Sequence, residues 1–113
     1  HLLGIADDLS VPAAVLTGVD TFDSCWPTRL GRHGTLLTRH GHIKIGKAAH
    51  RDDYGPIDEA CDGFVSTSYS RAYLHHLWKA KEPLVHGLLT LHNIKFMMDL
   101  CGELRRKILA DEI

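Results

Sequence analysis

The chain has 113 residues, 44% of them hydrophobic and 24% charged, with a formal net charge of −1 when histidine is neutral. These values fit one ordinary globular domain or part of a larger one, and they exclude a chain-wide basic footprint for nucleic acid, so any such patch must be local. The 3 cysteines, an odd number at irregular spacing, argue against a secreted disulfide framework and for reduced thiols in a cytoplasmic protein.

No run reaches the roughly 18 uninterrupted apolar residues that a membrane helix needs. The opening His1, in place of Met, points to a piece of a longer protein. His1 to Ala6 is apolar and bounded by Gly4 and Asp7-Asp8, the pattern of a buried strand running into a loop. Ser10 to Thr17 has Pro12 in a first turn and Gly18 just past the end, as a short helix requires. Val19 to Trp26 alternates and predicts a second strand, with Val19, Thr21, Asp23 and Cys25 on one face and Asp20 on the other. Strand, helix and strand make a βαβ unit, so the two strands should be parallel neighbours in an α/β fold. Asp20 then has a structural place, and Cys25 that of a small buried hydrophobe.

Pro27 should end that strand. Thr28 to Gly41 is polar, basic and punctuated by glycine, which predicts an exposed loop or hairpin, followed by a short strand at His42 to Ile45. Lys47 to Gly63 is irregular, with a turn at Gly55-Pro56. Ser70 to Ala80 predicts a helix with Tyr73, Leu74 and Leu77 on one stripe. After the break at Pro83, Leu88 to Ala110 predicts a long amphipathic helix through Leu91, Ile94, Met98, Cys101 and Leu104.

Particular words in the sequence go further than its periodicity. Gly18-Val19-Asp20-Thr21-Phe22-Asp23-Ser24-Cys25-Trp26-Pro27-Thr28-Arg29 resembles the signature G-V/I-D-x-F-D-C-x-x-P-T-R of the tRNA-guanine transglycosylases, with Ser24 at the usual cysteine. Gly31-Arg32-His33-Gly34, Asp53-Tyr54-Gly55-Pro56-Ile57-Asp58-Glu59-Ala60-Cys61, Ser70-Arg71-Ala72-Tyr73-Leu74-His75-His76-Leu77 and Leu91-His92-Asn93 resemble that family's later motifs, in order and over nearly the whole chain.

The resemblance implies the C-terminal portion of a TIM (β/α)8 barrel plus a small helical subdomain that binds zinc in the family. Residues 1–46 would hold the last barrel strands and 47–113 the subdomain. The implied activity is exchange of a guanine in the tRNA anticodon for a 7-deazaguanine base, queuine or its precursor, in queuosine biosynthesis. Asp23 takes the nucleophile's position in this comparison. A carboxylate suits the step, because the transition state at C1′ resembles an oxocarbenium ion that a carboxylate can capture covalently.

Arg29 and Arg32 fall where the family contacts tRNA, and a planar guanidinium suits phosphate. The other reading is a solvated basic loop, which Arg39, His40, His42, Lys44 and Lys47 extend. Leu3, followed by Gly4, is either a wall of the base pocket or a barrel-core leucine. The family's zinc ligands, C-x-C-x-x-C and a distant histidine, correspond to Cys61, Gly63, Ser66 and His92. Only Cys61 and His92 are ligand types, and Asp62 lies outside the family's spacing. Structural zinc wants four N or S donors. Zinc should therefore bind weakly or not at all, with helix packing in its place, unless the chain is a zinc-site variant that folds less stably.

The expected partners are the anticodon loop, the deazaguanine base and a second copy of the chain, met through Tyr69, Tyr73 and His76 on one helical stripe with Trp78 nearby; the other reading packs that stripe only on the long C-terminal helix. The resemblance also covers a non-catalytic partner subunit, or a module for dimerisation or tRNA binding. Asp23 and Pro27-Thr28-Arg29 favour the catalytic type. The general base lies outside this chain, so the chain alone should be inert.

Overall fold

A computed structural model describes residues 1–113. Helix α1 (Ser10–Leu16) starts where Asp7 Oδ1 accepts the backbone N–H groups of Leu9 and Ser10, at 3.0 and 2.8 Å. Those bonds satisfy donors that the first helical turn leaves free. On either side of α1 the expected βαβ unit is reduced to an isolated parallel bridge between Leu2 and Phe22. The strands are parallel neighbours, but the first is not buried: Leu3 is 75% exposed, because nothing in this chain covers the bridge.

Pro27 starts a helix rather than simply ending a strand. Helix α2 (Trp26–Arg32) takes Pro27 into its first turn, where a missing N–H costs nothing and the fixed φ is already helical. Ser24 Oγ accepts the Trp26 N–H at 3.0 Å. The loop expected from Thr28 therefore begins only at His33, and it leads into the hairpin of β1 (Thr35–Thr38) and β2 (Gly41–Lys44), where β1 is buried rather than exposed because Leu36 and Leu37 enter the two cores. The two strands are antiparallel, pairing Leu36 with Ile43 and Leu37 with His42.

The irregular stretch that follows holds one 3-10 turn at Ala48–His50. Helix α3 (Phe64–Ser68) was not expected, since a single turn shows no periodicity. Helix α4 (Arg71–Lys79) is capped by Ser70, whose Oγ accepts the Tyr73 N–H. Helix α5 (Leu84–Leu109) begins immediately after Pro83, earlier than its apolar periodicity suggested.

The larger core gathers Leu36 and Ile45 from the hairpin, Ile57 and Val65, Leu74 and Leu77 from α4, and Val85, Leu88 and Leu89 from α5. A smaller one joins Val11, Leu37 and Met97, with Trp26, Leu30 and Phe96 packed against it. The buried face of α5 carries Val85, Leu88, Leu89, His92, Asn93 and Met97. The stripe read from the sequence lies on another face, with Leu91, Ile94 and Met98 41–66% exposed. Polar His92 and Asn93 interrupt the apolar pattern on the side that is buried, so the period was right and its phase was wrong. No helix is long and apolar enough to cross a membrane.

Candidate active site

The parallel bridge at Leu2 and Phe22 sets His1 and Leu3 on one strand against Thr21 and Asp23 on the other. Alternation then puts all four on one face. Asp23 is the centre of this cluster. Its Oδ1 accepts the backbone N–H of Gly4 at 2.8 Å, and its Oδ2 lies 2.9 Å from His1 Nε2. Gly4 presents that N–H from the left-handed region, at φ +69°, where a side chain would be strained. The Asp23 side chain remains 60% exposed, so the carboxylate is held yet reachable. His1 was missed in the sequence, because no local spacing links it to a residue so far along the chain.

Of the other candidates, Leu3 is exposed beside Gly4, an apolar surface next to the carboxylate and not a core residue within this chain. Cys25 is exposed, which corrects its expected burial: the strand gives way to α2 there, and Cys25 sits at the helix start. Arg29 Nη2 donates to Cys25 Sγ at 2.9 Å. That hydrogen bond and the Arg29 charge, with Arg32 adding, hold the thiol below the usual cysteine range. Arg29 and Arg32 are both exposed in the last turn of α2, a turn or two beyond Asp23. The rest of the basic stretch is partly spoken for: His42 Nε2 pairs with Asp8 at 2.8 Å.

The later motifs are internal fastenings. Arg71 donates to the carbonyls of Pro56 at 3.1 Å and Ile57 at 2.7 Å. Asp58 Oδ2 accepts the Arg39 N–H and Oδ1 the Ala60 N–H. Burial by itself would raise the Asp58 carboxyl, but those bonds and the charges of Arg39 and His40 bring it below the usual range. Asn93 is fully buried, its Oδ1 accepting from Leu37 N and its Nδ2 donating to Pro27 O and Thr35 O.

The residues at the zinc positions do not fit a structural zinc. Ser66 Oγ is committed to Asp58, accepting from its N–H at 3.1 Å and donating to its carbonyl at 2.9 Å. A side chain at Gly63 would meet Lys95 Cγ at 2.7 Å, so the lysine stem fills that space. Lys95 Nζ pairs with Asp62 at 3.0 Å and Asp99 at 2.6 Å. His92 Nε2 donates to Leu37 O, and burial lowers its pKa. Its bare Nδ1, buried without a partner, is suited to a metal, as is the free Cys61 thiol. Cys61 and His92 leave the set two donors short, and no three His, Cys, Asp or Glu side chains converge to hold an ion.

The cluster around Asp23 is an exposed carboxylate held by Gly4 and His1, with two exposed arginines following it in sequence on α2, which suits a nucleophile acting on a polyanionic substrate. Comparison with known proteins agrees on the class: the family model described as queuine tRNA-ribosyltransferase matches residues 1–113, and the chain belongs to that family. It is similar to the queuine tRNA-ribosyltransferase of Aromatoleum aromaticum, 42% identical over 113 residues, covering 100% of this chain and 30% of the relative. That of Natranaerobius thermophilus is 44% identical over 98% of this chain and 30% of its own length, and that of Chlamydia felis 44% identical over 100% and 31%. The chain thus spans less than a third of the relatives it matches.

Proposed function

We propose that the full-length protein exchanges guanine in a tRNA anticodon for a 7-deazaguanine base, queuine or its precursor, through a covalent intermediate on Asp23. The observation that carries this is the exposed Asp23 carboxylate, held by Gly4 and His1 inside the family's signature. One carboxylate oxygen bonds C1′ while the C1′–N bond breaks and its electron pair leaves with guanine, which takes up a proton. The incoming base gives its N–H proton to the general base, which lies outside this chain, as its nitrogen bonds C1′, and the carboxylate departs unchanged. Arg29 and Arg32 hold phosphates flanking the target base, and Leu3 with Gly4 forms one wall of the base pocket.

In this reading residues 1–46 are the last strands and loops of a TIM barrel, and 47–113 form the appended subdomain without its zinc. Leu91, Ile94 and Met98 on α5 are exposed, as are Leu3 and Ile5, and these are apolar residues that the preceding barrel elements would cover. The enzyme works in the cytoplasm, where its tRNA is.

The test uses an anticodon stem-loop and the full-length protein. A denaturation-stable adduct should form with Asp23 and vanish in Asp23→Asn, which keeps size but not the attacking charge. The 113-residue chain alone should exchange no labelled guanine. An undiminished adduct in Asp23→Asn assigns the nucleophile elsewhere.

A further inference from the structure

We propose that His1 is a positioning residue for the Asp23 carboxylate, holding the oxygen that Gly4 does not. The inference rests on the reading of Asp23 as nucleophile. A carboxylate only accepts hydrogen bonds, so His1 Nε2, 2.9 Å from Asp23 Oδ2, carries the proton. The ring cannot turn freely, because its Nδ1 lies 2.7 Å from Thr21 Oγ1. In the neutral ring Nδ1 therefore accepts the Thr21 hydroxyl proton, and the tautomer that donates to Asp23 is fixed.

The backbone builds this arrangement. Leu2 N donates to Thr21 O at 3.0 Å and Asp23 N to Leu2 O at 3.4 Å, which locks the register that brings His1 over both side chains. With Gly4 N–H on Oδ1, the carboxylate plane is pinned at both oxygens. Each oxygen keeps a lone pair for attack.

Stability alone does not account for the contact. Within this chain the two side chains are 41% and 60% exposed, and exposed pairs of this kind contribute little to its folding. Orientation has a larger lever: displacing a reacting group by about 1 Å can cost on the order of a hundredfold in rate. His1 keeps its proton through both displacements. Its hydrogen bond strengthens as negative charge returns to the departing carboxylate, so it favours the second displacement as well as aligning the first.

The experiment measures base exchange by the full-length protein with wild-type His1, His1→Phe, His1→Gln and, alongside, Asp23→Asn. His1→Phe should lower kcat by about tenfold or more, with KM for tRNA and the thermal midpoint unchanged. His1→Gln, whose amide N–H reaches the same oxygen, should recover most of that loss. A wild-type kcat in His1→Phe overturns the proposal, and so does a loss that His1→Gln does not relieve. If Asp23→Asn abolishes the adduct while His1→Phe is fully active, only this inference fails. If Asp23→Asn keeps the adduct, the nucleophile reading fails with it.

Discussion

Asn93 holds more of the molecule together than its size suggests. One buried amide bonds Leu37 N at 3.0 Å, Thr35 O at 2.9 Å and Pro27 O at 3.1 Å, tying α5 to β1 and to the start of α2. Each partner is a main-chain group that water cannot easily reach if the amide is removed. A buried polar group left unpaired costs about 1–3 kcal/mol. Asn93→Leu strands several at once and should destabilise the protein by about 3 kcal/mol or more. Asn93→Asp keeps the acceptor for Leu37 but loses both donors, and should fall in the same range. Urea unfolding of the full-length variants checks this, and a change below about 1 kcal/mol would remove Asn93 from the frame of the site.

Between elements, close approach is set by glycine. A Cβ on Gly31 would meet both the backbone nitrogen and the Oγ1 of Thr90 at 2.9 Å, so α2 and α5 cross as tightly as backbone allows. Gly31→Ala must move α2, which carries Arg29 and Arg32, away from α5. Overpacking of this kind costs about 1–3 kcal/mol, and thermal denaturation should show the loss. Adding Thr90→Ala should recover only part of it, since the backbone contact remains. Gly34 and Gly46 play the same part against Trp78: a Cβ on either would lie 2.9 Å from the indole ring, so α4 presses directly on the ends of the hairpin.

For the whole molecule, two outcomes separate this chain from a zinc-held, monomeric alternative. With Ser66 bonded to Asp58 and the Lys95 stem beside Gly63, elemental analysis should find well under one zinc per chain, and a chelator should leave the melting temperature unchanged. Tightly held stoichiometric zinc would mean that a further donor joins Cys61 and His92. The second outcome concerns assembly. Tyr69 and Tyr73 stack at 5.5 Å between ring centroids, with Phe64 edge-on to Tyr69, and Phe64 is 61% and Tyr73 42% exposed. An aromatic surface with polar tips suits a two-fold interface. Sedimentation of the full-length protein should give a dimer that Tyr73→Ala weakens while circular dichroism stays unchanged. A clean monomer at micromolar concentration would refute it.

The order of motifs, the hairpin after Gly34, the helices at Ser10 and Ser70 and the candidate nucleophile Asp23 were all legible in the sequence. They depend on local chemistry: capping, turn residues, periodicity and a contiguous signature. What tertiary structure decided lies between distant residues. Pro27 could stop a strand or start a helix, and the choice is made where α2 meets α5. Helix α5 carries apolar residues on more than one face, and only packing shows that the face with polar His92 and Asn93 is the buried one. The replacement at the zinc positions needs Lys95 to lie against Gly63. The clamp on Asp23 needs a strand bridge to carry His1 across to Thr21 and Asp23, a contact that local sequence cannot encode because its parts meet only when the chain folds.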